Sequence, residues 1–198
     1  MNRISEAVDS LCAATASARI PTPYLTERLE LRPFCDEDIA RFAALMADPE
    51  ATMFIGGTKS LASAEDSVRY MRDAFFGRGW GTLAVVQRYD RGCIGYCGVR
   101  PLFNTPDVEL AFALERKSWN FGYATEASRA ALDLAFRHLA IDSVVATVYP
   151  DNHASVRVLT KLGMRLHGSI FGVWPRNTGH LYRLERVAWR TLSQTSNE

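Results

Sequence analysis

The sequence predicts a single α/β (α+β) domain built on a mixed, mostly antiparallel sheet of about seven strands, flanked by about four helices. Three segments with alternating apolar residues follow one another between residues 80 and 115, which is typical of an antiparallel meander. A long helical pattern over 122–138 then leads into an apolar strand at 143–149, which indicates a βαβ unit with parallel strands. A length of 198 residues with 47% apolar residues suits one domain.

The first half of the domain contains three candidate elements before the meander. The segment "ERLELRPF" at 27–34 alternates apolar and charged residues as a strand with one wet face does. The segment "CDEDIARFAALM" that follows has an acidic cap and a helical stripe, and a second amphipathic helix fits 63–76. The meander strands are then predicted at 80–88, 93–102 and 107–115.

The second half follows the helix at 122–138 and the strand at 143–149 with a short helix at 152–162, closed by Gly163. Two strands at 164–171 and 180–189 end the domain, so the order is β-α-α-β-β-β-α-β-α-β-β. Residues 1–22 are rich in Ala and Ser and are predicted to be an N-terminal extension. The domain itself spans 23–192, and 193–198 form a C-terminal tail.

Composition and charge exclude several classes of protein. Lys and Arg number 23 against 22 Asp and Glu, so the charge balance favours neither nucleic acid nor a membrane surface as a partner. Glu6 and Asp9 interrupt what would be the apolar region of a signal peptide, and no run of apolar residues is long enough to span a membrane.

The four cysteines form no CxxC pair and are expected to be reduced, which predicts a soluble, cytoplasmic protein. The four histidines have no metal-ligand spacing, so no metal site is expected.

The stretch "RKSWNFGYATEASRAALDLAF" at 116–136 is the first candidate binding site. Gly122 comes immediately before a long helix whose charges form one stripe, with apolar and small residues around it. A helix N-terminus presents unpaired N–H groups and a positive dipole end, which bind phosphate where no bulky side chain blocks the approach. The alternative is an ordinary helix start in which the glycine serves only the turn. Glu126, in the first turn, is expected to be structural and to pair with Arg129.

This stretch, with Leu114 and Glu115 before it, resembles the acetyl-coenzyme A signature of the GNAT superfamily of N-acetyltransferases, (Arg/Gln)-x-x-Gly-x-(Gly/Ala). Lys117 falls at the Arg/Gln position, Asn120 at the first glycine and Gly122 at the second. The segments "TERLELRPF" and "NHASVRVLTKLGM" resemble the opening strand and the fourth-helix motif of the branch that contains the ribosomal-protein N-terminal (alanine/serine) acetyltransferases. The resemblance covers residues 24–190 and implies the GNAT fold, with acetyl-CoA as co-substrate.

The resemblance also implies a set of coenzyme-binding residues. The signature loop would bind the pyrophosphate, and backbone groups of the preceding strand would bind the pantetheine arm, with Asn152 and Ser155 of an Asn-x-x-Ser motif on the arm and its sulfur. Asn120 departs from the signature, but Asn tolerates left-handed backbone angles better than most residues, so the loop is still expected to form. The residues assigned to the coenzyme are Phe112, Ala113, Leu114, Lys117, Asn120, Phe121, Gly122, Tyr123, Ala124, Thr125, Asn152 and Ser155.

Two catalytic roles follow from the need to deprotonate an amine and to release a thiolate. Glu109 lies on one strand face with Ala111 and Ala113, which leaves room for a narrow ligand arm, so it is the candidate base, acting directly or through water. The alternative is a charge on the solvated side of an edge strand. Ser155 or Tyr149 would donate a proton to the thiolate, and Asn152 would also be expected to cap its helix.

The acceptor is left open by the sequence. The GNAT resemblance implies that the loops 48–57 and 171–179 form its pocket, with Phe54, Phe171 and Trp174 as walls and Arg176 facing a carboxylate or phosphate. The alternative is that these residues serve surface packing or a dimer contact. The family branch implies a protein N-terminal α-amine, and a small amine such as an amino acid, a polyamine or an antibiotic is the second candidate. A GNAT-like domain that binds acyl-CoA without turnover is the third. Either a monomer or a homodimer is expected.

Overall fold

The computed structural model describes residue 15 and residues 18–103, 105–171 and 178–195. The strands are β1 (Tyr24–Leu25), β2 (Leu29–Arg32), β3 (Thr82–Gln87), β4 (Cys93–Pro101), β5 (Val108–Leu114), β6 (Ser143–Val148), β7 (Arg165–Phe171) and β8 (Thr178–Glu185). The helices of the described part are α1 (Ile39–Ala47), α2 (Pro49–Thr52), α3 (Leu61–Arg78), α4 (Tyr123–His138), α5 (His153–Lys161) and α6 (Arg186–Thr195).

The strands form one mixed sheet in the order β1-β2-β3-β4-β5-β6-β8-β7. The predicted fold class is confirmed, because every neighbouring pair is antiparallel except β5 and β6, which run parallel and are joined by α4. The sheet has eight strands where seven were expected. The additional one is β1, a two-residue strand that pairs with β2 at the outer edge.

The two faces of the sheet are covered by different helices. On one face, α1 and α3 pack against β3 and β4 over a core of Phe34, Phe42, Leu45, Met46, Ala64, Val68, Ala84, Val86 and Cys93. On the other face, α4 packs against β2, β4 and β5. The helix α4 buries eight of its sixteen residues, which include Leu132, Leu134 and Phe136, so it is the central element of the larger core. The loop around Gly122 thus precedes the central helix of this core.

The residues at its two ends explain where α3 begins and ends. The Oγ of Ser60 accepts a hydrogen bond from the N–H of Ser63 at 3.3 Å, which caps the first turn. The helix ends at Gly79, whose φ of +80° is left-handed. A Cβ at this position would lie 2.3 Å from the carbonyl oxygen of Ala18, so only glycine fits there.

The predicted last strand at 180–189 is wrong in its second half. The strand β8 ends at Glu185, and residues 186–195 form α6, which also overlaps the predicted tail 193–198. Arg186 determines this change of direction, because its guanidinium donates to the carbonyl oxygens of Phe136, Leu139 and Ile141 at the end of α4. These contacts satisfy carbonyl groups that a helix end leaves unpaired. The apolar residues of "YRLERVAW" alternate only up to Leu184, and Val187, Ala188 and Trp189 are consecutive, so the sequence contained a signal for this change.

The described residues include three of the four cysteines and only part of the predicted chain ends. Cys93 and Cys97 both lie on β4 and are buried, and together with Cys35 they are free thiols. Cys12 and nearly all of the predicted extension 1–22 lie outside the described residues, as do Trp174 and Arg176. No helix in the described part of the chain is both long and apolar enough to cross a membrane.

Candidate active site

The site is centred on a gap between β5 and β6. The two strands pair at a single position, Glu109 with Val145, although β5 continues to Leu114 and β6 to Val148. The carboxyl-terminal half of β5 therefore pairs with β4 on one side only. Since peptide groups that are not paired must find other partners, this edge is suited to hydrogen-bond an extended ligand.

The peptide groups of β5 alternate between the two sides. The N–H of Glu115 donates to Ile94 beside β4 at 2.8 Å, whereas the carbonyl of Leu114 points away and accepts from the indole of Trp119 at 2.7 Å. By strand alternation, the peptide groups of Phe112 and Leu114 face the gap and those of Ala113 face β4. Of the three residues assigned to the pantetheine arm, Ala113 thus offers its small side chain and not its amide.

The predicted phosphate loop lies at one end of this gap. Gly122 has a φ of +82° and Asn120 a φ of +65°, and α4 starts at Tyr123. The N–H groups of the first turn of α4 have no intrahelical acceptor. A groove of about 480 Å³ runs from this turn to the gap, and ten of the twelve predicted coenzyme residues line it: Phe112, Ala113, Leu114, Asn120, Gly122, Tyr123, Ala124, Thr125, Asn152 and Ser155.

The other two predicted residues face away from the groove. The ammonium of Lys117 lies 3.3 Å from a carboxylate oxygen of Glu115, and its side chain is 69% exposed. Phe121 is exposed and stacks on Tyr123, with 6.0 Å between the ring centroids. Neither side chain lines the 480 Å³ groove.

Two cations in the groove were not identified from the sequence. Arg157 and Lys161 lie one turn apart on α5 and line the same groove as Gly122. No ion pair forms between either of them and a carboxylate of the described residues. The spacing of the two basic residues on a helix that starts beside the loop was the signal that could have found them.

Arg28 was also not identified from the sequence, and it holds the loop before α4 in place. Its guanidinium lies 2.6 Å from Glu126 in the first turn of α4 and donates to the carbonyl of Phe121 at 2.9 Å. Burial acts to raise the pKa of Glu126, but hydrogen bonds from Thr26 and Arg28 outweigh it and hold that pKa below its ordinary value. Glu126 is structural, as expected, but its partner is Arg28 and not Arg129.

Glu109 lies at the other end of the gap and is only 3% exposed. One carboxylate oxygen accepts from Nε of Arg100 on β4 at 2.9 Å, and the other accepts from the hydroxyl of Thr147 on β6. Because β5 is a central strand, the alternative of a charge on a solvated edge strand is wrong. A buried carboxylate with a single cationic partner in a cavity is typical of a functional group.

Glu109 shares a small cavity of about 60 Å³ with both candidate proton donors, Tyr149 and Ser155. Tyr149 is 4% exposed, and its ring centroid lies 6.0 Å from that of Phe54. Asn152 caps α5, as expected, by accepting a hydrogen bond from the N–H of Ser155 at 3.1 Å. Both hydroxyl groups therefore stay candidates for the donor to the thiolate.

A second large cavity, of about 620 Å³, lies on the opposite side of Glu109, beneath α3. Tyr96, Arg100 and Glu109 line both this cavity and the 60 Å³ one, so Glu109 lies between the small cavity and the space beneath α3. Phe54 lines the cavities on the coenzyme side, and Phe171 is exposed. Within the described ranges, no cluster of three or more His, Cys, Asp or Glu side chains could hold a metal ion.

Comparisons with known proteins give one consistent result. The family described as the acetyltransferase (GNAT) domain matches residues 28–165. The uncharacterized protein YkkB of Bacillus subtilis is 30% identical over 152 residues, which are 75% of this chain and 88% of that protein. The uncharacterized N-acetyltransferase p20 of Bacillus licheniformis is 28% identical over 72% of this chain and 82% of its own. A crystal structure of an acetyltransferase from Agrobacterium tumefaciens superimposes with a TM-score of 0.71 at 30% identity, covering 82% of this chain and 93% of its own.

Proposed function

This chain belongs to the acetyltransferase (GNAT) domain family, and we propose that it transfers the acetyl group of acetyl-CoA directly to a primary amine in a ternary complex. The observation that carries the proposal is the gap between β5 and β6, with the first turn of α4 at one end and the buried Glu109 at the other. The groove has the size of a ligand pocket, and its donors match the coenzyme in order.

The hydrogen-bond donors and cations of the groove fit the chemical groups of acetyl-CoA. The first-turn amides of α4, with Arg157 and Lys161, would bind the phosphate groups. The peptide groups of Phe112 and Leu114 would bind the pantetheine arm as an added strand, and one of these amides could also polarise the thioester carbonyl. Ala113 and the alanine at 111 leave the space beside β5 narrow but open.

The chemical step needs an amine without its proton, since an α-amino group has a pKa of about 8. Glu109 would accept this proton, directly or through water, as the amine nitrogen attacks the thioester carbon. The new C–N bond forms, the C–S bond breaks, and the thiolate takes a proton from Ser155 or Tyr149. The acetyl group passes in one step, without an acyl-enzyme.

Two acceptor classes are supported by different observations. The resemblance of "TERLELRPF" and "NHASVRVLTKLGM" to the ribosomal-protein branch supports a protein N-terminal α-amine. The 620 Å³ cavity beneath α3 supports a small amine, because a cavity of this size encloses a small molecule. The third candidate, a sensor that binds acyl-CoA without turnover, would bind the coenzyme but release no thiol with any acceptor.

Replacing Glu109 by Gln tests the proposal. The release of thiol from acetyl-CoA in the presence of a panel of peptides and amines is expected to fall roughly 10²- to 10⁴-fold in kcat, the usual contribution of a general base. Glu30→Gln is a matched control, because Glu30 is also buried beside an arginine but lines none of the three cavities.

Full activity of Glu109→Gln at neutral pH would remove Glu109 as the base. Tight binding of coenzyme A by calorimetry, without thiol release by any acceptor, would instead favour the sensor. No binding of coenzyme A at all would contradict the proposed site.

A further inference from the structure

The guanidinium of Arg100 has two terminal nitrogens that its ion pair with Glu109 does not use. Its Nε donates to Glu109 at 2.9 Å, and neither terminal nitrogen, Nη1 or Nη2, has a hydrogen-bond or ion-pair partner within the described part of the chain. The side chain is 44% exposed, whereas Glu109 is 3% exposed. The paired edge of the guanidinium therefore faces the buried carboxylate, and its two terminal donors are open to the cavity. An unpaired arginine fork of this kind matches a carboxylate.

The strands beneath Arg100 leave room for a ligand next to it. Residues of β4 and β5 pair so that Arg100 lies opposite Glu109, Gly98 opposite Ala111, and Tyr96 opposite Ala113. Since alternate residues share one strand face, these six form a platform with a charged end and a centre of small side chains. The hydroxyl of Tyr96 also has no hydrogen-bond partner among the described residues and lines the same two cavities as Arg100.

The remaining charges of the 620 Å³ cavity are mostly positive. Lys59 lines it and donates to the hydroxyl of Ser67 at 3.0 Å, without a carboxylate partner in the described ranges. Arg78 lines it too, and its buried Nε has no partner there either. Of the two carboxylates, Glu109 is paired with Arg100, and Asp66 is exposed beside Arg69. The cavity thus disfavours polycationic acceptors such as polyamines.

The helix side of the cavity is partly apolar. Phe42, Met46, Ile55 and Met71 line the cavity, and α3 also contributes the polar side chains of Ser63, Ser67 and Tyr70. A ligand with adjacent amine and carboxylate groups would direct its side chain toward the four apolar residues. Methionine side chains adapt to several shapes, so the wall could accept more than one apolar side chain.

From these observations we propose that the acceptor is a free α-amino acid, or a close analogue, with an apolar side chain. Its carboxylate binds Nη1 and Nη2 of Arg100, its amine faces Glu109 and the thioester, and its side chain fills the cavity beneath α3. Arg100 is thus the specificity-determining residue, and the reaction converts the amino acid into its N-acetyl derivative with release of coenzyme A. The inference rests on the proposed acetyltransferase function and specifies its substrate class.

The experiment compares matched pairs of acceptors that differ only in the carboxylate. Thiol release from acetyl-CoA is measured with the standard amino acids and with their α-amides, which have the same side chain and amine. A carboxylate favours the protonated form of its neighbouring amine, so the amide has more free base at neutral pH, and basicity cannot produce a preference for the acid. The wild-type enzyme is expected to prefer the acid by roughly 10- to 100-fold in kcat/KM, the usual range for a hydrogen-bonded charge pair.

Substitutions of the arginines in the cavity show which of them binds the carboxylate of the acceptor. Arg100→Gln is expected to bring the acid-to-amide ratio close to one, and Arg100→Lys to keep part of it. A general loss of activity from disturbing Glu109 would lower both acceptors together and leave the ratio unchanged. Arg78→Gln is the matched control, since it removes an arginine of the same cavity away from Glu109, and the ratio should stay within about twofold of the wild type.

Equal rates with acids and amides, a peptide or polyamine as the best acceptor, or an unchanged ratio in Arg100→Gln would each overturn the inference while leaving the acetyltransferase function intact. A ratio that depends on Arg78 would place the carboxylate elsewhere and overturn it as well. If the panel of amino acids, amides, peptides and polyamines gives no thiol release, although coenzyme A binds, the acetyltransferase function fails together with it.

Discussion

Asn120 shows how a single residue can depart from a family signature without changing the backbone. The resemblance places glycine at this position, and Asn120 adopts a left-handed φ of +65° there, next to Gly122 at +82°. Asn is among the few residues other than glycine that take this conformation readily. Asn120 can therefore replace glycine in this loop, and both residues line the groove.

Substitutions at Asn120 test this interpretation. Asn120→Gly is expected to keep coenzyme A affinity within roughly twofold, because glycine accepts the same backbone. Asn120→Val should cost about 1–2 kcal/mol of stability and weaken coenzyme binding, since a β-branched residue is strained at positive φ. Calorimetric titration with coenzyme A and thermal unfolding measure both effects. Lys117→Gln is the control in the same loop, and a large loss of affinity in that variant would contradict the outward orientation of Lys117.

At the scale of elements, the coenzyme groove depends on how two helices begin. The first turn of α4 is held to β2 by Arg28 through Glu126 and Phe121, and α5 is capped by Asn152. Both helix starts line one groove, and α5 adds Arg157 and Lys161, which have no ion-pair partner among the described residues. Positive dipole ends and these two cations together make this part of the surface suitable for phosphate.

Removing the two cations of α5 is expected to weaken coenzyme binding in a salt-dependent way. Arg157→Gln and Lys161→Gln should each raise the Kd of coenzyme A roughly 3- to 10-fold, and the double variant should show less salt dependence than the wild type. Arg190→Gln, an exposed arginine on α6 outside the groove, should have no effect. Equal affinities of the double variant and the wild type at low salt would show that these cations do not reach the phosphates.

At the scale of the whole molecule, buried ionisable groups on both faces of the sheet limit the pH range of stability. Burial acts to raise the pKa of Asp38, but the guanidinium of Arg32, at 2.7 Å, and the backbone of Cys35 hold it below its ordinary value. Burial raises the pKa of Cys93 and of Cys97 to about 12. The folded state thus prefers charged carboxylates and neutral thiols.

The free energy of unfolding is therefore expected to be nearly constant between about pH 5 and pH 8 and to fall on both sides. On the acid side, Asp38 and Glu126 of the unfolded chain become protonated below their ordinary pKa values of 3.8 and 4.5, whereas in the folded state they stay charged to a lower pH. The free energy of unfolding therefore falls as the pH drops from these ordinary values through the lowered pKa values of the folded state. On the alkaline side, the unfolded thiols ionise above 9.0 while the folded ones stay neutral to about 12, so stability falls across that window.

Denaturant unfolding at a series of pH values measures this curve. Cys97→Ala should reduce the alkaline slope without changing the acid limb, because it removes one of the two buried thiols. A slope unchanged in that variant would show that other groups control the alkaline limit.

The sequence alone determined the fold class and most element positions, and ten of the twelve residues that it assigned to the coenzyme line the 480 Å³ groove. Alternation and helical periodicity are local, and so are the helix-start signals at Gly122 and Asn152, which is why they could be interpreted without coordinates. Glu109 was identified in the same way, from its position on a strand face.

The tertiary structure decided which distant residues meet these elements. The pairing of Glu109 with Arg100 depends on the register of β4 and β5, and the single paired position between β5 and β6 depends on how α4 joins these two strands. Arg28 reaches Glu126 across 98 positions of the chain, and Arg186 reaches the end of α4 and turns the chain into α6. Such contacts join residues whose spacing in the sequence has no period, so only packing of the whole chain brings them together.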